Sequence, residues 1–91
     1  MSAAARLREI EVFSRPGCHL CEQLVEELLP MVRDRFDVVV RNIDLDAEWS
    51  RQYSLKIPVV VLDGVEICHF HLDRDALSAA TNVESGINPD P

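Results

Sequence analysis

The stretch FSRPGCHLC, residues 13–21, carries two cysteines three positions apart and decides how the rest of the chain is interpreted. It follows an apolar segment, residues 7–13, and leads into a segment where apolar residues recur every four positions from Leu20 to Val32. This spacing is typical of an amphipathic helix, and the Ser-Arg-Pro-Gly run before Cys18 is typical of a loop. The sequence therefore predicts a strand, a loop and a helix, with the cysteines where the helix begins.

The start of a helix is a favourable place for a thiolate. Unpaired backbone N–H groups and the positive end of the helix dipole stabilise an anion there, so the pKa of Cys18 is expected to lie well below ~8.5. Cys21 lies one turn later on the inward side and is expected to be less exposed. The pair is interpreted as a nucleophile, Cys18, and a resolving thiol, Cys21. Two interpretations of His19 stay open. As a cation it would stabilise the Cys18 thiolate, and otherwise it is merely an exposed loop residue.

The remaining segments complete a pattern of alternating strands and helices. Asp-Gly between two apolar runs at residues 59–70 is a strong hairpin signal, and Pro30 predicts a kink or an early end of the first helix. The predicted elements are a strand over 37–43, a helix over 47–53, strands over 59–62 and 65–70, and a helix over 73–80. The order is βαβαββα, an α/β fold with a four-stranded mixed sheet flanked by helices, whose first two strands are parallel.

Length and composition exclude several classes of protein. A chain of 91 residues predicts one domain, over residues 1–82, followed by a disordered tail over 83–91. The net charge of −7 argues against binding to nucleic acid, which requires clustered basic residues. No apolar run is long enough for a membrane span or a secretory leader. We therefore expect a monomer in a reducing cytoplasm, with no nucleic-acid or membrane partner.

Two segments resemble one known family. Residues 13–21 resemble the active-site segment of the glutaredoxins, and KIPVVVLDG at residues 56–64 resembles that family's cis-proline strand and turn. The likeness extends in order over residues 7–80. It implies a thioredoxin/glutaredoxin-like fold and a thiol–disulfide oxidoreductase or redox carrier, active in electron transport through a redox-active CxxC pair.

The resemblance also implies roles for individual residues. Cys18 would attack a disulfide and Cys21 would resolve the product. Arg15 matches the basic residue that contacts the carboxylate of glutathione. Pro58 matches the cis-proline that lies against the cysteine pair, and the backbone of Ile57 would pair with the bound thiol substrate.

Two departures from the common glutaredoxin pattern concern the substrate. His19-Leu20 replaces Pro-Tyr between the cysteines, which is similar to a C-x-L-C subgroup of glutaredoxin-like proteins. Cys68-His69 replaces the Gly-Gly that lets one end of glutathione approach the backbone. We therefore expect no tightly bound cofactor, glutathione as a weakly bound co-substrate, and a disulfide-containing protein or small thiol as substrate.

Other functions stay open at this point. The same cysteines could form a metal-binding module, with zinc or an iron–sulfur cluster, or the fold could be a non-catalytic binding partner. Cys68 is interpreted as a buried small hydrophobe, and a zinc site joining the pair to Cys68, His69 and His71 is the less favoured hypothesis, so we expect no metal. Structural roles in turns, caps and packing are also expected for Asp44, Asp46, Trp49 and Tyr53.

Overall fold

The structure, a computed structural model, describes residues 8–85 of the chain. Its elements are β1 (Arg8–Ser14), α1 (His19–Val32), β2 (Phe36–Asn42), a 3₁₀ turn (Ile43–Leu45), α2 (Ala47–Tyr53), β3 (Val59–Leu62), β4 (Val65–His69) and α3 (Arg74–Ser85). The predicted order of strands and helices is confirmed. Within residues 8–85, none of the helices has both the length and the apolar content needed to cross a bilayer.

A four-stranded sheet in the order β2-β1-β3-β4 forms the centre of the fold. β1 pairs with β2 in parallel, and the two other pairings are antiparallel, as predicted for a mixed sheet. Because β1 and β2 run in the same direction, Ser14 lies opposite Asn42 where both strands end. The loop that leads to Cys18 therefore leaves the sheet beside the residues that follow β2.

Apolar side chains form two cores, one on each face of the sheet. The larger core combines sheet residues such as Ile10 and Val60 with Leu24 and Leu28 of α1 and Leu77 of α3. The smaller core contains the buried residues Phe13, Ile43, Val59 and Val61 and the partly buried residues Trp49, Tyr53 and Ile57. Burial of apolar area on both faces fixes the end of β1, and so fixes the start of the loop that carries the cysteines.

The aromatic residues of α2 pack against the smaller core. The ring centroid of Phe13 lies 4.4 Å from that of Tyr53 in a stacked arrangement and 5.4 Å from that of Trp49 in an edge-on arrangement. Such pairs stabilise a fold beyond the area they bury. The predicted packing role of Trp49 and Tyr53 is therefore confirmed.

The ends of two helices differ from the sequence-based prediction. α1 continues through Pro30 to Val32, so the alternative of an early end is wrong; Leu28 and Val32 are buried on either side of the proline. α3 continues to Ser85, five residues beyond the predicted end at Ala80, so the first residues of the predicted tail are helical. No Gly or Pro follows Ala80 until Gly86, which explains the extension. The rest of the predicted tail, residues 86–91, lies outside the described residues.

Asp46 caps α2, as predicted, and offers a test of how this helix is held. Its Oδ1 accepts hydrogen bonds from the backbone N–H groups of Glu48 at 2.8 Å and Trp49 at 3.2 Å. Replacing Asp46 by alanine is expected to lower the free energy of unfolding by about 0.5–2 kcal/mol, measured by urea denaturation. Asp46→Asn is the matched control, because asparagine caps equally well, and equal losses in both variants would contradict the cap as the cause.

Candidate active site

Cys18 is the N-cap of α1, where a helix has unpaired N–H groups. Its backbone is extended, with φ of −89° and ψ of 107°, and its Sγ accepts a hydrogen bond from the N–H of Cys21 at 3.1 Å. The N–H of Cys18 donates to the carbonyl of Arg15 at 3.2 Å, which closes the turn before the helix. The chain thus holds this sulfur against a backbone donor at the positive end of the helix dipole.

Cys18 and Cys21 are joined by a disulfide, with their Cα atoms 5.2 Å apart. Cys21 is only 2% exposed and belongs to the buried stripe of α1, whereas Cys18 is partly exposed. The predicted difference in exposure is therefore confirmed. Cys18 is therefore the more accessible residue of the pair, and Cys21 is shielded from solvent.

The two residues between the cysteines both face solvent. His19 is 98% exposed, and its Nδ1 lies 3.9 Å from a carboxylate oxygen of Glu22. Leu20 is 41% exposed, although its spacing with Leu24 predicts burial. The buried stripe of α1 begins at Cys21 instead and continues through Leu24 and Leu28. Leu20 is therefore an exposed apolar residue beside the disulfide.

Arg15 contacts an acidic residue that follows β2. Its Nε donates to Oδ1 of Asp44 at 2.9 Å, between side chains that are 38% and 48% exposed. The backbone N–H of Asp44 donates to Oδ1 of Asn42, which fixes the start of the 3₁₀ turn. Asp44 thus has the turn role expected from sequence and also pairs with the candidate ligand-binding arginine.

The peptide bond between Ile57 and Pro58 is cis, as the family resemblance implied. Val59 lies opposite Phe13 in the sheet, so Pro58 is placed at the end of β1 from which the loop to Cys18 departs. The carbonyl of Pro58 accepts a hydrogen bond from the N–H of Phe70 at 2.9 Å. Contact between Pro58 and the cysteine pair, and the role of Ile57, stay predictions.

Cys68 is a buried member of the larger core, 9% exposed, in agreement with its interpretation as a small hydrophobe. Burial raises the pKa of its thiol above the ordinary value of 9.0, although the backbone N–H of Asp73 opposes the shift. The neighbouring acidic side chains raise the pKa further. This thiol is therefore protonated at neutral pH.

A charged cluster lies on the hairpin beside Cys68. A carboxylate oxygen of Glu66 accepts from Nζ of Lys56 at 2.6 Å, and the other lies 2.8 Å from Nδ1 of His69. The hydrogen bond from Lys56 is the main reason why the pKa of Glu66 lies below its ordinary value. The cluster links the segment before Pro58 to β4.

The less favoured zinc site, which would join the cysteine pair to Cys68, His69 and His71, finds no support in the described residues. In the described part of the chain, no three side chains of His, Cys, Asp or Glu are grouped so that they could hold a metal ion. Cys68, His69 and His71 are thus not brought together with the disulfide pair as a ligand set.

Sequence reasoning missed the partner of Arg15 and the cluster around Glu66. The parallel pairing of β1 and β2 contained a signal for the partner of Arg15, because it brings the residues after both strands to one edge of the sheet. The cluster around Glu66 has no such signal, since Lys56, Glu66 and His69 meet only once the hairpin register is fixed.

Comparison with known proteins agrees with this geometry. Residues 9–81 match the family model described as Glutaredoxin-like domain (DUF836). The chain belongs to this glutaredoxin-like family. A relative from Dictyostelium discoideum, named Glutaredoxin-like protein YDR286C homolog, is 35% identical over 75% of this chain and 69% of its own length. An uncharacterized protein from Mycobacterium tuberculosis is 27% identical over 78% of this chain and 79% of its own.

Solved structures share the fold of this chain. The solution structure of protein Ne2328 from Nitrosomonas europaea matches with a TM-score of 0.73 and 32% identity, over 88% of this chain and 98% of that one. Thioredoxin 1 from Thermosipho africanus matches with a TM-score of 0.57 at 16% identity, over 86% of this chain and 97% of that one. The second likeness shows the thioredoxin fold alone.

Proposed function

We propose that this glutaredoxin-like domain is a thiol–disulfide oxidoreductase that acts through Cys18 and Cys21. The observation that carries the proposal is the position of Cys18. This partly exposed residue is the N-cap of α1, its sulfur accepts the N–H of Cys21, and it is joined to a buried second cysteine. A backbone donor and the helix dipole stabilise the thiolate, which is the form that attacks a disulfide.

The reaction begins from the reduced pair. The Cys18 thiolate attacks one sulfur of a substrate disulfide, so a mixed disulfide forms and the other substrate sulfur leaves with the electron pair and takes up a proton. Cys21 then loses its proton and attacks Sγ of Cys18, which releases the second substrate thiol. Two protein thiols are oxidised, one substrate disulfide is reduced, and two equivalents of an external thiol restore the pair.

The proposed partners are a disulfide-containing protein or a small thiol, with glutathione as a weakly bound co-substrate. The residues proposed to contact the substrate are Arg15, Ile57 and Pro58. A reducing compartment such as the cytoplasm suits this role, because it supplies the thiol that regenerates the pair.

The test counts thiols and then measures turnover. Denatured protein that has been oxidised is expected to give one alkylated cysteine, Cys68, and protein treated with dithiothreitol is expected to give three. Insulin disulfides should be reduced by dithiothreitol faster with the protein than without it. The proposal would be refuted if the cysteine pair is not reversibly oxidised and reduced, or if insulin is reduced no faster with the protein than without it. One tightly held zinc per chain, or visible cluster absorbance, would indicate the metal-binding alternative.

A further inference from the structure

Arg15, which forms an ion pair with Asp44, lies three residues before Cys18 in the loop that leads to α1. The carbonyl of Arg15 accepts the N–H of Cys18, so the guanidinium extends from the loop that holds this cysteine. Both partners of the ion pair are partly exposed, which leaves them open to a ligand. A carboxylate on an approaching thiol would therefore meet a guanidinium that an acidic side chain of the same chain already contacts.

The position of Asp44 is fixed by the sheet and not by Arg15. Ser14 and Asn42 are opposite each other at the ends of β1 and β2, and Oδ1 of Asn42 accepts the N–H of Asp44 at 2.9 Å. The backbone of Asp44 is thus held in place by a contact that does not involve Arg15. Forming the ion pair therefore orders little of the chain beyond the two side chains. An incoming carboxylate must compete for Arg15 with an aspartate that is already in position.

The charge around Arg15 disfavours a second anion. A cavity of about 240 Å³ beside this residue is lined also by Glu22, Val40 and Asn42. With Asp44 paired to the guanidinium and Glu22 lining the same cavity as Arg15, two acidic residues lie around this one cation. A ligand carboxylate must share or replace Asp44 and must approach Glu22, and both requirements oppose binding.

We infer that Asp44 is a specificity-determining residue that selects against carboxylate-bearing thiols and so directs the cysteine pair toward uncharged sulfur groups, such as those presented by a protein dithiol. Asp44 acts through Arg15 and does not touch the sulfur atoms. This inference rests on the proposed exchange activity. It gives a reason, independent of Cys68 and His69, for the weak binding of glutathione that the sequence predicts.

The experiment compares two reductants of the oxidised protein, 3-mercaptopropionate, which carries a carboxylate, and 2-mercaptoethanol, which does not. The ratio of their rates is compared between variants, so the intrinsic reactivities of the two thiols cancel. Replacing Asp44 by asparagine is expected to raise the ratio of the 3-mercaptopropionate rate to the 2-mercaptoethanol rate by about two- to fivefold at low salt. This is the range that the energy of an exposed ion pair allows. Because the effect is electrostatic, it should shrink at about 1 M salt.

Two further variants separate the mechanism from a general change in charge. Asp37→Asn makes the same charge change at the other end of β2, opposite Glu9, and should leave the ratio unchanged. In an Arg15→Gln background, Asp44→Asn should change the ratio less than it does in the wild type, because the group through which it acts is gone. An unchanged ratio in Asp44→Asn, or equal changes in Asp44→Asn and Asp37→Asn, would overturn the inference while exchange itself persists.

Binding of S-methylglutathione, followed by chemical-shift changes, tests the same residue without requiring any exchange. Its affinity should rise about two- to fivefold in Asp44→Asn and not in Asp37→Asn. This measurement stays informative if the cysteine pair proves inactive, so failure of the proposed function and failure of the inference give different results. Equal affinities in the wild type and Asp44→Asn would refute the role of Asp44.

Discussion

Replacing Cys18 by alanine is expected to reduce disulfide exchange to the rate of the uncatalysed reaction. The reason is that neither remaining sulfur can substitute for it: Cys21 is 2% exposed, and Cys68 is buried with a raised pKa. A thiol that is both shielded and protonated reacts slowly with a disulfide. The measurement is insulin reduction by dithiothreitol at neutral pH, with the variant compared with the reaction without protein.

Replacing Cys21 by serine should give a different result from the loss of Cys18. The first attack is retained, but no thiol within the protein can attack the mixed disulfide. With a stoichiometric disulfide substrate and no excess thiol, the variant is expected to hold one substrate half on Cys18, visible as an added mass. Accumulation of the same adduct on the wild-type protein would show that Cys21 does not resolve it.

Cys68→Ala serves as the matched control for both cysteine variants. It removes a thiol from the larger core without touching the disulfide pair, and it should retain exchange. Some loss of stability is expected, because alanine has a smaller side chain than cysteine in a packed core. Folding should therefore be checked by urea denaturation before rates are compared. Loss of exchange in a folded Cys68→Ala variant would mean that the third thiol takes part in the reaction.

Much of the fold could be predicted from the sequence because local signals agreed with one another. The cap at Asp46 fixed the start of α2, and the helix spans residues 47–53 as predicted. Asp63 and Gly64 both have positive φ, as the two-residue hairpin requires. The cysteine pair was placed correctly because a loop signal and a helical period meet at Cys18.

Other features could not be predicted because they depend on how elements are placed in space. Leu20 continues the four-residue spacing of α1, but only the packed structure shows that its side chain is exposed while Cys21 beside it is buried. The partner of Arg15 lies 29 residues away along the chain; the predicted pairing of β1 with β2 brings the two strand ends together, but it does not identify Asp44 as the residue in contact. Spacing within one helix carries no information on the exposure of Leu20 or on the contact between Arg15 and Asp44.

The three thiols of the reduced protein are expected to differ strongly in reactivity. At pH 7 iodoacetamide is expected to modify Cys18 at least about tenfold faster than Cys68, because exposure and thiolate fraction set the rate. Cys18 is partly exposed and its sulfur accepts a backbone N–H, whereas Cys68 is buried. Cys21 should also react slowly, since it is shielded in α1.

The pH dependence of the modification rates distinguishes the effect of burial on Cys68 from a general difference in reactivity between the thiols. Because burial raises the pKa of Cys68 above 9.0, its thiolate fraction at pH 7 is smaller than the few per cent of an ordinary thiol and keeps rising through pH 9. The rate at Cys68 should therefore increase steadily over this range, while the rate at Cys18 levels off earlier. Mass spectrometry of digested samples gives both rates at each pH, and unfolding in urea should remove the difference. Equal rates at all three cysteines in the folded protein would count against a selected nucleophile, since the fold would then give Cys18 no advantage over a buried thiol.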